Sequence, residues 1–351
     1  MNDLRSMTLA EMKELARSLG QPAFRGAQLY GWIYKGETDF RRMHNLPEIF
    51  IQKLEAEYTA DPLTLLREQR SSYDGTRKFL FSLDGGDAIE SVFMKYHYGN
   101  SVCISSQAGC RMGCSFCASG MKGLARDLTP GEMISQVMDI QKITGEKVNH
   151  VVVMGTGEPF DNYENLSRFL YLLHDDGGFG LSMRNITVST CGIIPGIRRF
   201  SEDFPQVSLA VSLHAADNRR RSEIMPVNRS YPLEQLIDAV RRYTEVTSRR
   251  VTFEFALIHG VNDRQEDVNQ LVRLLRGLLC HVNLIPLNEV RGTGLKSSGR
   301  KRAEEIRTEL ESRGIPATVR RQLGADIDGA CGQLRLSAAE EDSSSEGKGK
   351  K

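Results

Sequence analysis

From about residue 100 onward the sequence switches repeatedly between two periods, and that alternation restricts the fold more than any other feature. The β-rich runs SVCIS, VNHVVVMG, NITVST, VSLAVSLH, VTFEFALI, HVNLIPL and IPATVR are short. Between them lie PGEMISQVMDIQKIT, YENLSRFLYLLH, IPGIRRFSED, PLEQLIDAVRRYTEV, RQEDVNQLVRLLRGL and RKRAEEIRTELESR, whose apolar residues recur at helical spacing. Strands that alternate with helices pair in parallel through right-handed crossovers. The expected architecture is α/β, a partial (βα)6-type barrel, with reactive groups gathered at the C-terminal ends of the strands.

The chain ahead of that region reads differently. MTLAEMKELARSLG predicts a helix that opens on Thr8, with Glu11 as capping-box partner, and stops at Gly20. Helices are also expected over FRGAQLYGWIY and LPEIFIQKLEAEYT. TRKFLFSLD and AIESVFMKYH flank a Gly-Gly-Asp turn and read as a hairpin. The expected organisation is a helical accessory domain over 1–60, a linking hairpin over 61–98, the barrel over 99–335 and a polar, disordered tail over 336–351. Hydrophobic residues make up 40% of the chain, enough to bury a core. With 46 Lys+Arg against 45 Asp+Glu, any nucleic-acid surface must be local. No apolar run is long enough to span a bilayer and the start does not resemble a signal peptide, so a cytoplasmic monomer without a membrane partner is expected.

Three of the seven cysteines crowd into one segment, Cys110, Cys114 and Cys117, in the pattern CxxxCxxC. Three thiolates on one tight loop can ligate three irons of a 4Fe–4S cubane. The fourth iron is then open to chelate S-adenosylmethionine (SAM), and one electron passed to SAM yields a carbon radical. The competing reading is a structural zinc site, with distant His214 as a fourth ligand and no second CxxC pair to complete it. An aromatic residue before the last cysteine makes the segment resemble the signature of the radical SAM superfamily.

Other strand ends fit that resemblance. Gly155-Thr156-Gly157-Glu158-Pro159 follows VNHVVVM and is similar to the superfamily's Gly-Gly-Glu motif. Ser189, Ser212-Leu213-His214 and Asn288 close later strands. Singly, each reads as a helix cap or a satisfied core polar group; their shared address favours a site. Cys191 and Cys280 read as small buried hydrophobes. Cys103 stands on the first barrel strand beside the triplet, and Cys331 lies in a Gly- and Asp-rich loop after the last strand.

From about Thr8 to Leu334 the chain resembles the RlmN family, radical SAM enzymes that methylate C2 of adenosine in 23S rRNA and tRNA. The stretches that carry the resemblance are ESVFMKY, CISSQAGCRMGCSFCASG, HVVVMGTGEPFDNYEN, ITVST, LAVSLHA, MPVNRSYPLE, HVNLIPLN and DIDGACGQLR. The resemblance implies one cluster on Cys110, Cys114 and Cys117, and two SAM molecules per turnover. It further implies SAM contacts at Gly157, Glu158, Ser189, Ser212, Leu213, His214 and Asn288. Cys331 would carry the methyl group, Glu90 would accept the C2 proton, and Cys103 would release the product by forming a disulfide with Cys331. A thioredoxin-like reductant would reset the pair. Cys191 departs from the family's expected Ser or small apolar residue. RNA phosphate contacts are sought at Arg219, Arg220 and Arg221, at Arg249-Arg250, between Arg291 and Arg302, and at Arg320-Arg321. Two alternatives stay open: a Cfr-like C8 methyltransferase of 23S rRNA, and a non-catalytic metal-containing RNA-binding protein.

Overall fold

The computed structural model describes residues 1–121, 123–290, 292–327 and 334. Cys331 and the expected tail over 336–351 lie outside the described residues. Ten strands form one sheet in which neighbours in sequence are neighbours in space. They are β1 (Thr64–Arg70), β2 (Arg77–Ser82), β3 (Ala88–Tyr96), β4 (Gly99–Ile104), β5 (His150–Val153), β6 (Ile186–Thr190), β7 (Ser208–Ser212), β8 (Val251–Leu257), β9 (Cys280–Pro286) and β10 (Ala317–Val319). β4 to β10 run parallel, and each coincides in whole or in part with one of the seven expected β-rich runs. The helices that cross between them are α4 (Pro130–Thr144), α5 (Tyr163–His174), α6 (Ile194–Asp203), α7 (Asn218–Ile224), α8 (Leu233–Thr247), α9 (Gln265–Leu275) and α10 (Gly299–Ser312).

The two runs expected as a linking hairpin do pair, as β2 and β3, but they also extend the main sheet: β3 pairs antiparallel with β4. Beyond them lies β1, an edge strand of largely exposed, charge-bearing sequence that shows no clean alternation. Charged side chains on an edge discourage pairing with another chain.

The two faces of the sheet differ in chemistry. One face carries Val102, Val151, Val188, Leu209, Phe253 and Val282 into the main apolar core under the helices. Side chains of period two fall on the opposite face, which lines the barrel lumen. There the registers align Lys78, Val92, Cys103 and Val152 in one row, and Ser212, Glu254, Asn283 and Thr318 in another. The loop after β10 then crosses to the far edge of the sheet. Asp326 accepts from the Ser71 hydroxyl at 2.6 Å and the Ser72 N–H at 2.8 Å, and Gly324 N–H donates to Asp74 at 2.9 Å. This strap joins the β10 side to the turn between β1 and β2, bringing the two edges together.

Before the sheet come α1 (Leu9–Ser18), α2 (Ala23–Tyr34) and α3 (Glu48–Glu57). The expected capping box forms, with Thr8 accepting from Glu11 N–H and Glu11 reaching back. Such a cap is worth about 1 kcal/mol. These helices bury Met12, Leu15, Leu29, Ile33, Phe50 and Leu54 in a core of their own. The segment ahead of them docks on the outer helices: buried Arg5 pairs with Asp139 of α4 at 2.9 Å, and Ser6 accepts from Gly131 N–H at 2.8 Å. A Cβ on Gly131 would stand 1.7 Å from an Asp3 carboxylate oxygen, so a larger residue there would displace the Asp3 side chain.

Candidate active site

The turn after β5 shows how the site is assembled. Gly157 has φ +115°, and a Cβ on it would come within 2.7 Å of Ser106 Oγ and Gln107 Cβ. Only glycine lets that backbone lie so close to the cluster loop. Glu158 next to it is buried. Its carboxylate accepts from Thr190 Oγ1 at 2.7 Å, Cys191 N–H at 2.7 Å and Phe160 N–H at 3.1 Å. Burial raises its pKa against these three donors. The carboxylate therefore ties the β5 turn to the end of β6 as well as lining the pocket.

The pocket at these strand ends brings together most of the expected residues. Cys110, Cys114 and Cys117 line it, with Gly157, Glu158, Ser189, Ser212, His214 and Asn288. Leu213 does not. Its side chain is fully buried in the main core, and its carbonyl accepts from Arg221 Nε at 3.1 Å. His214 has φ +54°, a strained value for a non-glycine residue, and Asn262 Nδ2 holds its carbonyl at 2.7 Å. Its Nδ1 accepts from Ala256 N–H at 2.9 Å, which assigns the ring proton to Nε2. Burial, helped by the nearby Arg221 cation, pushes its pKa down to about 3 and keeps the ring neutral. With Nδ1 so engaged, His214 presents a donor, with Phe116 edge-on at 4.7 Å.

Burial, with the neighbouring acidic groups, pushes the Cys110 thiol up to about 11, and Cys114 is likewise raised by burial and by the other two cysteines. Thiols held back from ionising in this way become thiolates when a multivalent cation binds them. Three sulfur donors on one loop suit an iron–sulfur cubane. Among the described residues no three His, Cys, Asp or Glu side chains crowd round a single point as for one ion; the three thiols share a pocket wall instead.

Cys103 and Glu90 lie off this pocket but on the same lumen face. Cys103 packs with Val92, Met94 and Leu323 and lines a second pocket, which shares Ile285, Leu287, Asn288 and Arg320 with the first. Glu90, two residues before Val92 on β3, is buried and pairs with buried Lys78 Nζ at 3.0 Å. Breaking such a pair typically costs about 3–5 kcal/mol, against at most about 1 kcal/mol for an exposed pair. Ser105 Oγ links Glu90 to the β5 turn, donating to the Glu90 carbonyl at 2.7 Å and accepting from Thr156 N–H at 3.0 Å.

Several pocket residues were not read from the sequence. Glu254 is buried in the first pocket and accepts from Asn283 Nδ2 at 2.8 Å. Burial raises its pKa, and the Arg320 charge opposes that rise. Its signal was a lone carboxylate between two phenylalanines in TFEFA. Cys191, read as a small buried hydrophobe, is buried but also lines this pocket. Two members of the first basic cluster are turned inward, and another cluster lies away from the pockets. Arg220 is buried against Asp217 and Asp267, and Arg221 donates to the carbonyls of Cys191, Ser212 and Leu213 and to Asn228. Arg249 and Arg250 precede β8 and so stand at the opposite end of the barrel from the pockets.

Comparison with known proteins agrees with this geometry. Residues 104–275 match the radical SAM superfamily, and residues 2–59 match a ribosomal RNA large subunit methyltransferase N-terminal domain. A probable dual-specificity RNA methyltransferase RlmN from Lachnospira eligens is 47% identical over 99% of this chain and 99% of its own length. A relative with the same description from Pelotomaculum thermopropionicum is 49% identical over 96% of this chain and 92% of its own. The crystal structure of a radical SAM methyltransferase from Sphaerobacter thermophilus superposes with a TM-score of 0.91 at 45% identity, over 95% of this chain and 99% of that one. By sequence along its whole length and by fold, this chain belongs to the RlmN family of radical SAM methyltransferases.

Proposed function

We propose that the chain methylates C2 of adenosine in 23S rRNA and in tRNA, using one 4Fe–4S cluster and two SAM molecules per turnover. The observation that carries this reading is the pair of adjoining pockets: a thiol-lined pocket with the SAM motifs shares Ile285, Leu287, Asn288 and Arg320 with a pocket lined by Cys103. Cys110, Cys114 and Cys117 hold the cluster. Gly157, Glu158, Ser189, Ser212, His214 and Asn288 surround SAM, His214 through Nε2–H, while Leu213 supports the site from the core behind it. When bound, the cluster and SAM supply a carbon radical able to take a hydrogen atom from an S-methyl group.

The chain's own residues do the rest. The Cys331 thiolate takes the methyl group from one SAM by displacement, releasing S-adenosylhomocysteine. Direct transfer to C2 is mismatched, because both the SAM methyl and the amidine carbon are electrophilic. Once the methylene carbon is joined to C2, Glu90, paired with Lys78, takes the C2 proton, and the adduct's unpaired electron would return to the cluster. Cys103 then attacks the Cys331 sulfur as a thiolate and breaks its bond to carbon; the pair of that bond stays on the methylene carbon, which takes a proton to become the methyl group, and the disulfide left behind is reopened by a thioredoxin-like reductant. The target base must leave its stack to reach this depth. Residues 1–60, 61–98 and 99–335 would serve as accessory, linking and catalytic segments. No helix among the described residues is long and apolar enough to cross a membrane; we place the activity in the cytoplasm, with a monomer as the working unit.

The test is anaerobic reconstitution with iron and sulfide, followed by reaction with SAM, reductant and an RNA hairpin. Formation of 5′-deoxyadenosine together with 2-methyladenosine is expected. A colourless zinc protein that leaves SAM intact would overturn the enzymatic reading, and 8-methyladenosine would replace C2 by C8.

A further inference from the structure

The pocket of the cysteine triplet holds a fourth thiol. Of the three described cysteines outside the triplet, Cys103 lines the other pocket and Cys280 lies in the main core under the helices. Cys191 alone of them lines the same pocket as Cys110, Cys114 and Cys117. It belongs to a small apolar cluster, with Ala215, Ile224 and Met225, against which Cys114 and Phe116 of the cysteine loop pack. A cubane has four irons, and that loop supplies thiolates for three of them.

Cys191 is also firmly mounted. Its N–H donates to the Glu158 carboxylate at 2.7 Å, and its carbonyl accepts from Arg221 Nη2 at 2.7 Å. Gly192 N–H donates to Thr190 Oγ1 at 3.1 Å and closes the turn after β6. With both backbone groups held, the side chain keeps one torsion of freedom. It is 7% exposed, and the acidic groups that act on it most strongly are Glu158, then Cys114 and Cys110. In the reading above, Glu158 lies on the SAM side of the pocket, and SAM chelates the open iron through its amino and carboxylate groups. A thiol held against both Glu158 and Cys114 stands where the loop leaves the cluster uncovered.

We propose that Cys191 is a fourth, exchangeable ligand that caps the open iron while SAM is absent. The inference rests on the cluster reading above and adds a resting state to it. As the Cys191 sulfur binds iron, its S–H bond breaks and the proton leaves to solvent; no electron moves. When SAM arrives, its amino nitrogen takes the iron, the iron–sulfur bond to Cys191 opens, and the ammonium proton passes to the freed thiolate. The cap matters under oxidation, because an oxidised cubane sheds an uncovered iron as ferrous ion and leaves a three-iron cluster.

The test reads the cluster in protein reconstituted anaerobically. With Mössbauer-active iron, SAM-free wild type should show iron sites all of thiolate type, and one altered site only after SAM is added. An altered site already present without SAM would overturn the cap, whatever the variants do. After a stoichiometric amount of ferricyanide, SAM-free Cys191→Ala should build up the three-iron signal in electron paramagnetic resonance about tenfold faster than wild type. Saturating SAM should bring the two within about twofold. Cys191→Ser keeps the size of the side chain but offers a harder donor, and should behave as Cys191→Ala does. A serine protein as slow as wild type would overturn the cap and assign the protection to packing. Equal rates in all three proteins would overturn it too and leave the cluster standing. A wild-type protein that takes up no iron would overturn the cluster reading with it.

Discussion

The two pockets at the barrel mouth share a wall of four residues yet carry opposite chemistry. The first is lined by thiols and by two buried carboxylates, Glu158 and Glu254, and the second by three arginines and no carboxylate among the described residues. One suits iron and the sulfonium and ammonium charges of SAM, the other a polyanion. Both arise from the same ten-stranded sheet. The acidic groups ride on β8 and on the turn after β5, and the basic ones on the first turn of α10 and on the segment after β10. The difference teaches that the sheet supplies a shared frame, while strand-end loops decide which ligand each half receives. Arg320 lines both pockets, and its charge reaches Glu254.

The largest expected effect separates the halves outright. Cys110→Ala should abolish 5′-deoxyadenosine formation while leaving RNA affinity within about twofold of wild type; a parallel loss of RNA binding would mean that the pockets do not act separately. Glu254→Gln removes one negative charge from the first pocket and should weaken SAM binding about tenfold, equivalent to about 1.4 kcal/mol, in equilibrium dialysis. The salt dependence of its RNA binding should not move. Asp326→Ala cuts the strap that crosses above Cys103. Methylation should fall about threefold to tenfold, while SAM cleavage without RNA stays unchanged, since free energies of separate sites add.

The smallest effect is a pH dependence. His214 has a folded pKa near 3, below its ordinary 6.5. Its contribution to stability is present above pH 6.5 and is lost as pH falls towards 3, because the unfolded chain takes a proton that the folded ring refuses. A neutral His214→Gln variant should therefore show a shallower decline of melting temperature over that interval; an identical decline would place the titration elsewhere.

Much of this organisation is legible in the sequence, because period and spacing are local properties. The seven parallel strands, the Thr8–Glu11 cap and the cysteine loop all follow from residues close together in the chain. What escaped depends on register. Glu254 and Lys78 acquire meaning only when neighbouring strands place them on the lumen face. The edge strand β1 hides behind Arg67, Glu68 and Arg70, which suit solvent and break the alternation. Asn218–Ile224 looked like a phosphate-binding run, yet it forms α7 and turns Arg220 and Arg221 inward. Charge in a sequence does not say which way it faces.

The central claim is that the two pockets act in succession on one methyl carbon, and Cys103→Ala tests it most directly. This variant keeps the cluster loop and the SAM site but lacks the thiol on the second pocket's wall. After anaerobic turnover with SAM and the RNA hairpin, intact-mass analysis should find protein and RNA joined covalently through the methyl carbon. Free methylated RNA at the wild-type rate, with no joined species, would contradict it.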